Sequence, residues 1–214
     1  MSCNSEILPP GQKMNPFDLK AAEWDDNPGR VENTRKIAAA IKQAVPFSKT
    51  MSAMEFGCGT GLVSRELLPS LGEILAIDLS SGMIAQLQNR IAEAGLQNIT
   101  AQCLDIFTAP PAGPFDFIFS AMALHHVPDT DALLDCLAGL LAPGGFIALA
   151  DLDTEDGTFH GEDAGPVHHG FDRAELMKKL RARGFSKTAA VTAHTMHKNS
   201  RDYSVFLITA RKPA

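Results

Sequence analysis

The sequence has no apolar run approaching the roughly 18 residues a helical membrane span needs, so no membrane partner is expected. It also has no block of Lys or Arg. The 19 basic residues stand against 25 acidic ones, for a formal net charge of -6. An acidic chain grips a phosphate backbone poorly, and nucleic acid is not an expected partner. Cysteine is scarce: the four, at positions 3, 58, 103 and 136, form no CxxC and no zinc-type spacing. Cys58 and Cys103 fall in segments that read as structured, which suggests buried free thiols in a reducing, cytoplasmic setting. Residues 1–15 lack a basic stretch followed by an apolar one, so they do not read as a secretory signal. With Pro9, Pro10 and Gly11 they read as a loose tail. No repeat or low-complexity linker interrupts the remainder, and residues 16–214 are expected to form a single domain.

Hydrophobic residues make up 45% of the 214, enough for a chain this long to bury a core. Short apolar runs at 51–56, 74–78, 99–105, 115–120 and 146–151 lack strict polar alternation, as suits strands buried on both faces. Amphipathic helices lie between them. Ser80 or Ser81 can cap one that carries Ile84, Leu87 and Ile91 on a single face and ends at Gly95. Leu133, Leu134, Leu137 and Leu141 line another, which Pro143-Gly144-Gly145 should stop. Strand and helix in alternation require crossover connections, hence a doubly wound, mostly parallel α/β sheet with helices on both faces. Near the C-terminus Asp172 and Glu175 make a capping-box-like helix start, closed by Gly184. Two β-like stretches follow, 187–195 and 203–210, with no helix between them; they should pair as an antiparallel hairpin at a sheet edge. Residues 16–45 read as helix in two pieces, broken at Asn27-Pro28-Gly29.

Chemistry concentrates where strands end. Glu55-Phe56-Gly57-Cys58-Gly59-Thr60-Gly61 follows the first strand, and its glycines let backbone N–H groups approach a ligand closely. A dinucleotide fingerprint would place a small residue at 62, where Leu62 stands, so a nicotinamide-dependent oxidoreductase is disfavoured. Asp78 ends the second strand, where a carboxylate can accept from both hydroxyls of a ribose, or simply cap the next helix. Asp105 ends the third and could accept from an adenine amino group.

Four segments in order, at 55–61, 76–83 (Ala-Ile-Asp-Leu-Ser-Ser-Gly-Met), 115–120 (Phe-Asp-Phe-Ile-Phe-Ser) and 141–145 (Leu-Ala-Pro-Gly-Gly), resemble class I S-adenosylmethionine-dependent methyltransferases of the small-molecule branch. The resemblance implies a seven-stranded sheet whose final strand is antiparallel, in agreement with the hairpin. It implies S-adenosyl-L-methionine as cofactor, with Gly57, Cys58, Gly59 and Thr60 in the loop beneath its methionine portion. Glu55 would orient that loop or bind the amino group. Asp78 would hold the ribose, with Leu79 and Met83 bordering the adenine; Asp105 would take the adenine amino group and the Ile106 N–H a ring nitrogen. Ser120 would meet the methionine end from the other side.

Ser120-Ala-Met-Ala-Leu-His125-His126 lacks the Pro-Pro-aromatic motif of amino-group nucleic-acid methylases, and Asp151-Leu-Asp153-Thr lacks the Asp-Asn pair of catechol-type metal enzymes. The expectation is metal-independent transfer to a small molecule, by in-line displacement. A catalytically silent module that binds S-adenosylmethionine or S-adenosylhomocysteine is the competing reading. His126 or His125 could act as general base, and Asp151 or Asp153 could orient an acceptor. Five of seven histidines fall between 125 and 169. However, neighbours on a helix diverge by about 100° and no H-x-x-x-H pair occurs, so no metal is expected. Trp24 belongs either to an N-terminal lid, residues 16–45, or to a staple fixing that segment to the sheet. Tyr203 reads as structural.

Overall fold

The computed structural model describes residues 15–160, 167–198 and 200–214; the expected tail at 1–15 lies outside it except for Asn15. Seven strands form one sheet: β1 Ser52–Phe56, β2 Glu73–Asp78, β3 Ile99–Cys103, β4 Phe115–Ala121, β5 Leu141–Leu152, β6 Ser186–Lys198 and β7 Arg201–Arg211. Their order is β3-β2-β1-β4-β5-β7-β6. The first five pair in parallel, and β7 runs antiparallel between β5 and β6. The doubly wound sheet and the edge hairpin match the expectation from the sequence.

Among the described residues there are six α-helices: α1 Pro16–Lys20, α2 Pro28–Ala44, α3 Leu62–Leu67, α4 Ser81–Glu93, α5 Thr130–Leu140 and α6 Arg173–Ala182. One apolar cluster packs Ile37 and Ile41 of α2, with Leu87 of α4, on Phe117 and Phe119. The other packs Leu133, Leu134 and Leu137 of α5, with Leu176 and Leu180 of α6, on Ile118, Ile147 and Phe206. Caps fall where the side chains allow. The Ser80 hydroxyl accepts from the Met83 N–H at 3.1 Å, and the Asp172 carboxylate accepts from the Glu175 N–H at 2.9 Å.

The helical break falls at Asn27, as read: it is extended, accepts from the Arg30 N–H and, with Pro28 in the first turn, opens α2. Several boundaries differ from the sequence reading. The piece before that break is itself divided, into α1 and a 3₁₀ turn at Trp24–Asp26. β5 begins at Leu141, immediately after α5, since Leu141 already pairs with Phe115 before Pro143 is reached. α3 carries too short an apolar pattern to be read alone. Cys103 is exposed and not buried, whereas Cys58 is buried as expected. Among the described residues no helix is long and apolar enough to cross a membrane.

Gly61 precedes α3 with φ +75°, and a Cβ there would lie 2.4 Å from a Leu87 methyl. Gly61→Ala combines a left-handed alanine with overpacking and should cost about 2–4 kcal/mol. Gly139 sits exposed in α5 with open space around it. Gly139→Ala should stabilise by about 0.5–1 kcal/mol. Urea unfolding of both variants checks the pair, and equal effects would contradict this account of the core.

Candidate functional site

The strand order reverses at β1, which has β2 on one side and β4 on the other. At such a switch point the loops beyond the carboxyl ends diverge and leave a crevice. A cavity of about 420 Å³ opens there, lined by the loops after β1, β2 and β4 and roofed by residues 15–37. Gly57 makes its geometry possible: φ is +66°, and a Cβ would lie 2.4 Å from the Ala123 Cβ, so only glycine lets the two loops meet.

Glu55, the penultimate residue of β1, is buried. One of its carboxylate oxygens accepts from the Ser64 N–H at 3.1 Å and from the Ser64 hydroxyl, tying β1 to α3. Burial raises its pKa to about 8, opposed by the two Ser64 hydrogen bonds. Asp78 sits at the β2 tip, where Oδ2 accepts from the Gly59 N–H and Oδ1 from the Ser80 N–H, each at 2.8 Å. Burial pushes its pKa up as well, against those same backbone donors. Asp78 lines the cavity, and each of its oxygens has acceptor capacity beyond the one N–H it takes.

The remaining candidates divide. Gly57, Cys58, Gly59, Thr60, Leu79 and Met83 all line the cavity. Burial, with Glu55 and Asp78 adding to it, raises the Cys58 thiol pKa, so this cysteine stays a neutral apolar surface. Ser120 does not reach it: buried, it donates its hydroxyl to the Phe56 carbonyl at 2.9 Å across β1 and β4. Ala121, Met122 and Ala123 take its place in the wall. Asp105 lies beyond β3 and accepts from the Phe107 N–H at 2.9 Å, while Ile106 is buried in the second core cluster. Leu104, not these two, lines the cavity.

The N-terminal segment is anchored by two carboxylates. Asp18 accepts from the Ser80 hydroxyl at 2.6 Å and the Gly82 N–H at 2.8 Å. Asp25 accepts from the Thr60 hydroxyl at 2.6 Å and pairs with Arg90 at 2.7 Å. These hold Trp24 in the cavity wall, with the Arg30 guanidinium 3.6 Å above its ring. Asn33 was missed in the sequence. It is buried on α2, lines the cavity, and its Oδ1 has no hydrogen-bond partner. The available signal was a polar residue four before Ile37 on the apolar face.

A second cavity, of about 700 Å³, adjoins the first and shares Phe17, Trp24, Asn33, Met122 and His126 with it. His125 and Asp151 are both buried against this side, with Nδ1 2.7 Å from Oδ1. Oδ1 also accepts from the Leu152 N–H and Oδ2 from the His125 N–H. With an ionised carboxylate as acceptor, Nδ1 is the donor and Nε2 the free nitrogen. Burial, then His125 and His160, lowers the His126 pKa to about 3, so its ring stays neutral. His168 instead bonds the Val127 carbonyl, and Asp153 forms a two-pronged pair with Arg173, so Asp153 fastens α6 and does not face an acceptor. Tyr203 is buried and bonds Thr158, a structural role.

Residues 53–145 match the family model of the methyltransferase domain. Over this span, a little under half of the chain, it is similar to a methyltransferase domain. An uncharacterized methyltransferase of Mycobacterium bovis is 36% identical over 118 residues, covering 54% of this chain and 57% of that protein. A ubiquinone biosynthesis O-methyltransferase of Caulobacter vibrioides is 32% identical over 157 residues, covering 64% and 61%. The chain thus spans about half to three fifths of the length of these relatives. The N-methyltransferase NodS of Bradyrhizobium japonicum, solved with S-adenosyl-L-homocysteine, shares the fold with a TM-score of 0.70 at 21% identity, covering 92% of this chain and 97% of that one. The matched span runs from within β1 to the start of β5, so Glu55, Asp78 and the loops that line the first cavity fall inside it.

The raised Glu55 pKa gives a signed prediction. Its protonated form is favoured in the folded state, so this contribution to stability is fully present below about pH 4.5 and lost as pH rises through about 8. Glu55→Gln should keep the Ser64 hydrogen bonds and flatten the decline, a difference on the order of a few kcal/mol between pH 5 and 8.5. Urea midpoints at the two pH values measure it; parallel slopes for both proteins would refute the assignment.

Proposed function

We propose that the chain transfers the methyl group of S-adenosyl-L-methionine to a small-molecule acceptor, with the cofactor in the smaller cavity and the acceptor in the larger. The observation that carries this is the junction of the two cavities at Met122 and His126, beneath Phe17 and Trp24.

The residues suit the cofactor. Asp78 offers carboxylate lone pairs to a vicinal diol, Leu79 and Met83 offer apolar surface to a base, and Gly57 lets the β1 and β4 loops close together into one wall. Glu55 is a buried acid without a cationic partner, and an ammonium placed beside it would restore its charge. The unpartnered Asn33 Oδ1 is a further acceptor for a ligand donor. When bound, the cofactor supplies an already activated methyl electrophile, so the protein's task is alignment and exclusion of water. Residues 16–45, tethered through Asp18 and Asp25, act as the lid that excludes it.

On the acceptor side, Asp151 holds the His125 ring so that Nε2 is available to take a proton from a hydroxyl or amine. Neutral His126 shapes the junction. The names of the O-methyltransferase and N-methyltransferase relatives favour a small acceptor over a macromolecule. A silent binding module would retain the first cavity but has no use for a buried imidazole–carboxylate pair at the second.

Two measurements test the reading. Asp78→Ala should weaken S-adenosylhomocysteine binding by about 1–3 kcal/mol in calorimetry, while thermal stability without ligand changes much less; equal affinities would remove Asp78 from the ribose role. Trp24 is the chain's single tryptophan. Its emission should shift on saturation with S-adenosylhomocysteine, and an unchanged spectrum would place the lid elsewhere. Methyl transfer itself is read with labelled cofactor against a panel of small phenols, amines and thiols. Binding without transfer to any of them would favour the silent module.

A further inference from the structure

We propose that His125, His126 and His160 form a binding site for one divalent transition-metal ion of the zinc type, on the wall of the larger cavity. Each contributes one ring nitrogen, and the three nitrogens lie within 4.8 Å of one another. The ring centroids are 4.1, 4.7 and 5.7 Å apart, and all three residues line the same cavity.

The hydrogen bonding supports a missing ligand. Nδ1 of His160 is buried without a partner. Among the described residues no hydrogen bond reaches the His126 ring either, so only His125 has its outward nitrogen fixed by a partner on the other side. That partner is Asp151, and a carboxylate behind a ligating imidazole is the arrangement that fixes its tautomer and raises its basicity. Three imidazoles with no thiolate select zinc, cobalt, nickel or copper over magnesium and calcium, which prefer oxygen.

The expectation of no metal rested on the divergence of neighbouring histidines along an α-helix. Here His125 and His126 lie in a 3₁₀ turn, Leu124–His126, and the third ring comes from residue 160, beyond β5. A tetrahedral zinc with Zn–N near 2.0–2.1 Å needs nitrogens about 3.3 Å apart. Reaching that spacing requires rotation of the His126 and His160 rings, and among the described residues no hydrogen bond opposes it at either ring.

Three protein ligands leave one position open. It would face the cavity, where an acceptor hydroxyl or thiol bound to the ion loses its proton to solvent more readily. With the ion bound, His125 Nε2 is a ligand and the ion, in place of that nitrogen, promotes loss of the acceptor's proton; this role rests on the methyltransferase reading, and binding of the ion does not.

The test uses the full chain, stripped with a chelator and dialysed, and titrated with Co²⁺ while visible d–d absorption is followed. One saturable site displaced by Zn²⁺ is expected. His160→Ala should weaken Co²⁺ binding by about 100-fold or more, and Asp151→Asn by about 10–100-fold. His169→Gln, a change at an exposed histidine paired with Glu155, should leave it unaltered. Zn²⁺ should raise the thermal midpoint of the unaltered chain and not that of His160→Ala. His160 is only half-buried, so this variant decides the matter if Asp151→Asn fails to fold. No saturable band, His160→Ala binding like the unaltered chain, or equal loss in His169→Gln would each overturn the site. The titration contains no methyl donor or acceptor, so failure of methyl transfer would leave its outcome intact.

Discussion

The parallel pairing of β1 with β4 is the contact on which both cavities depend. It sets Phe56 opposite Ser120, and the Ser120 hydroxyl locks the register by bonding the Phe56 carbonyl. One residue further, the two chains come so close that Gly57 must lack a side chain beside Ala123. Because β2 lies on the other flank of β1, the loops that follow cannot all stay together, and the crevice opens between them. Nothing in the individual strands requires this; it follows from the reversal of strand order.

Two carboxylates line that crevice and a third, Asp151, is buried behind His125; each is handled differently. Glu55 takes two donors from Ser64, Asp78 takes backbone N–H groups from Gly59 and Ser80, and Asp151 takes two backbone N–H groups and an imidazole. Removing an acid from water is costly unless its lone pairs are met. Glu55 and Asp78, both raised by burial and both lining the first cavity, mark a site where charge is held ready for a ligand. The lid follows the same logic. Asp18 reaches the start of α4 and Asp25 reaches Thr60 of the glycine-rich loop and Arg90 of α4, so the N-terminal segment is tied to the elements that carry the cavity wall.

The sequence by itself determined the strand–helix alternation, the hairpin, a cap at Asp172 and one at Ser80 or Ser81, and the strand-end positions of the glycine-rich loop and Asp78; only its family resemblance added Leu79 and Met83. These are legible because apolar runs, capping residues and glycines act over a few residues and leave local patterns. Tertiary structure alone decided that Ser120 serves the sheet, that Leu104 replaces Asp105 in the wall, and that Asn33 faces the cavity with an empty acceptor. It alone brought His160 to His125 and His126, and set Asp151 behind one of them. Those facts depend on pairings between segments tens of residues apart, which only the packed sheet specifies.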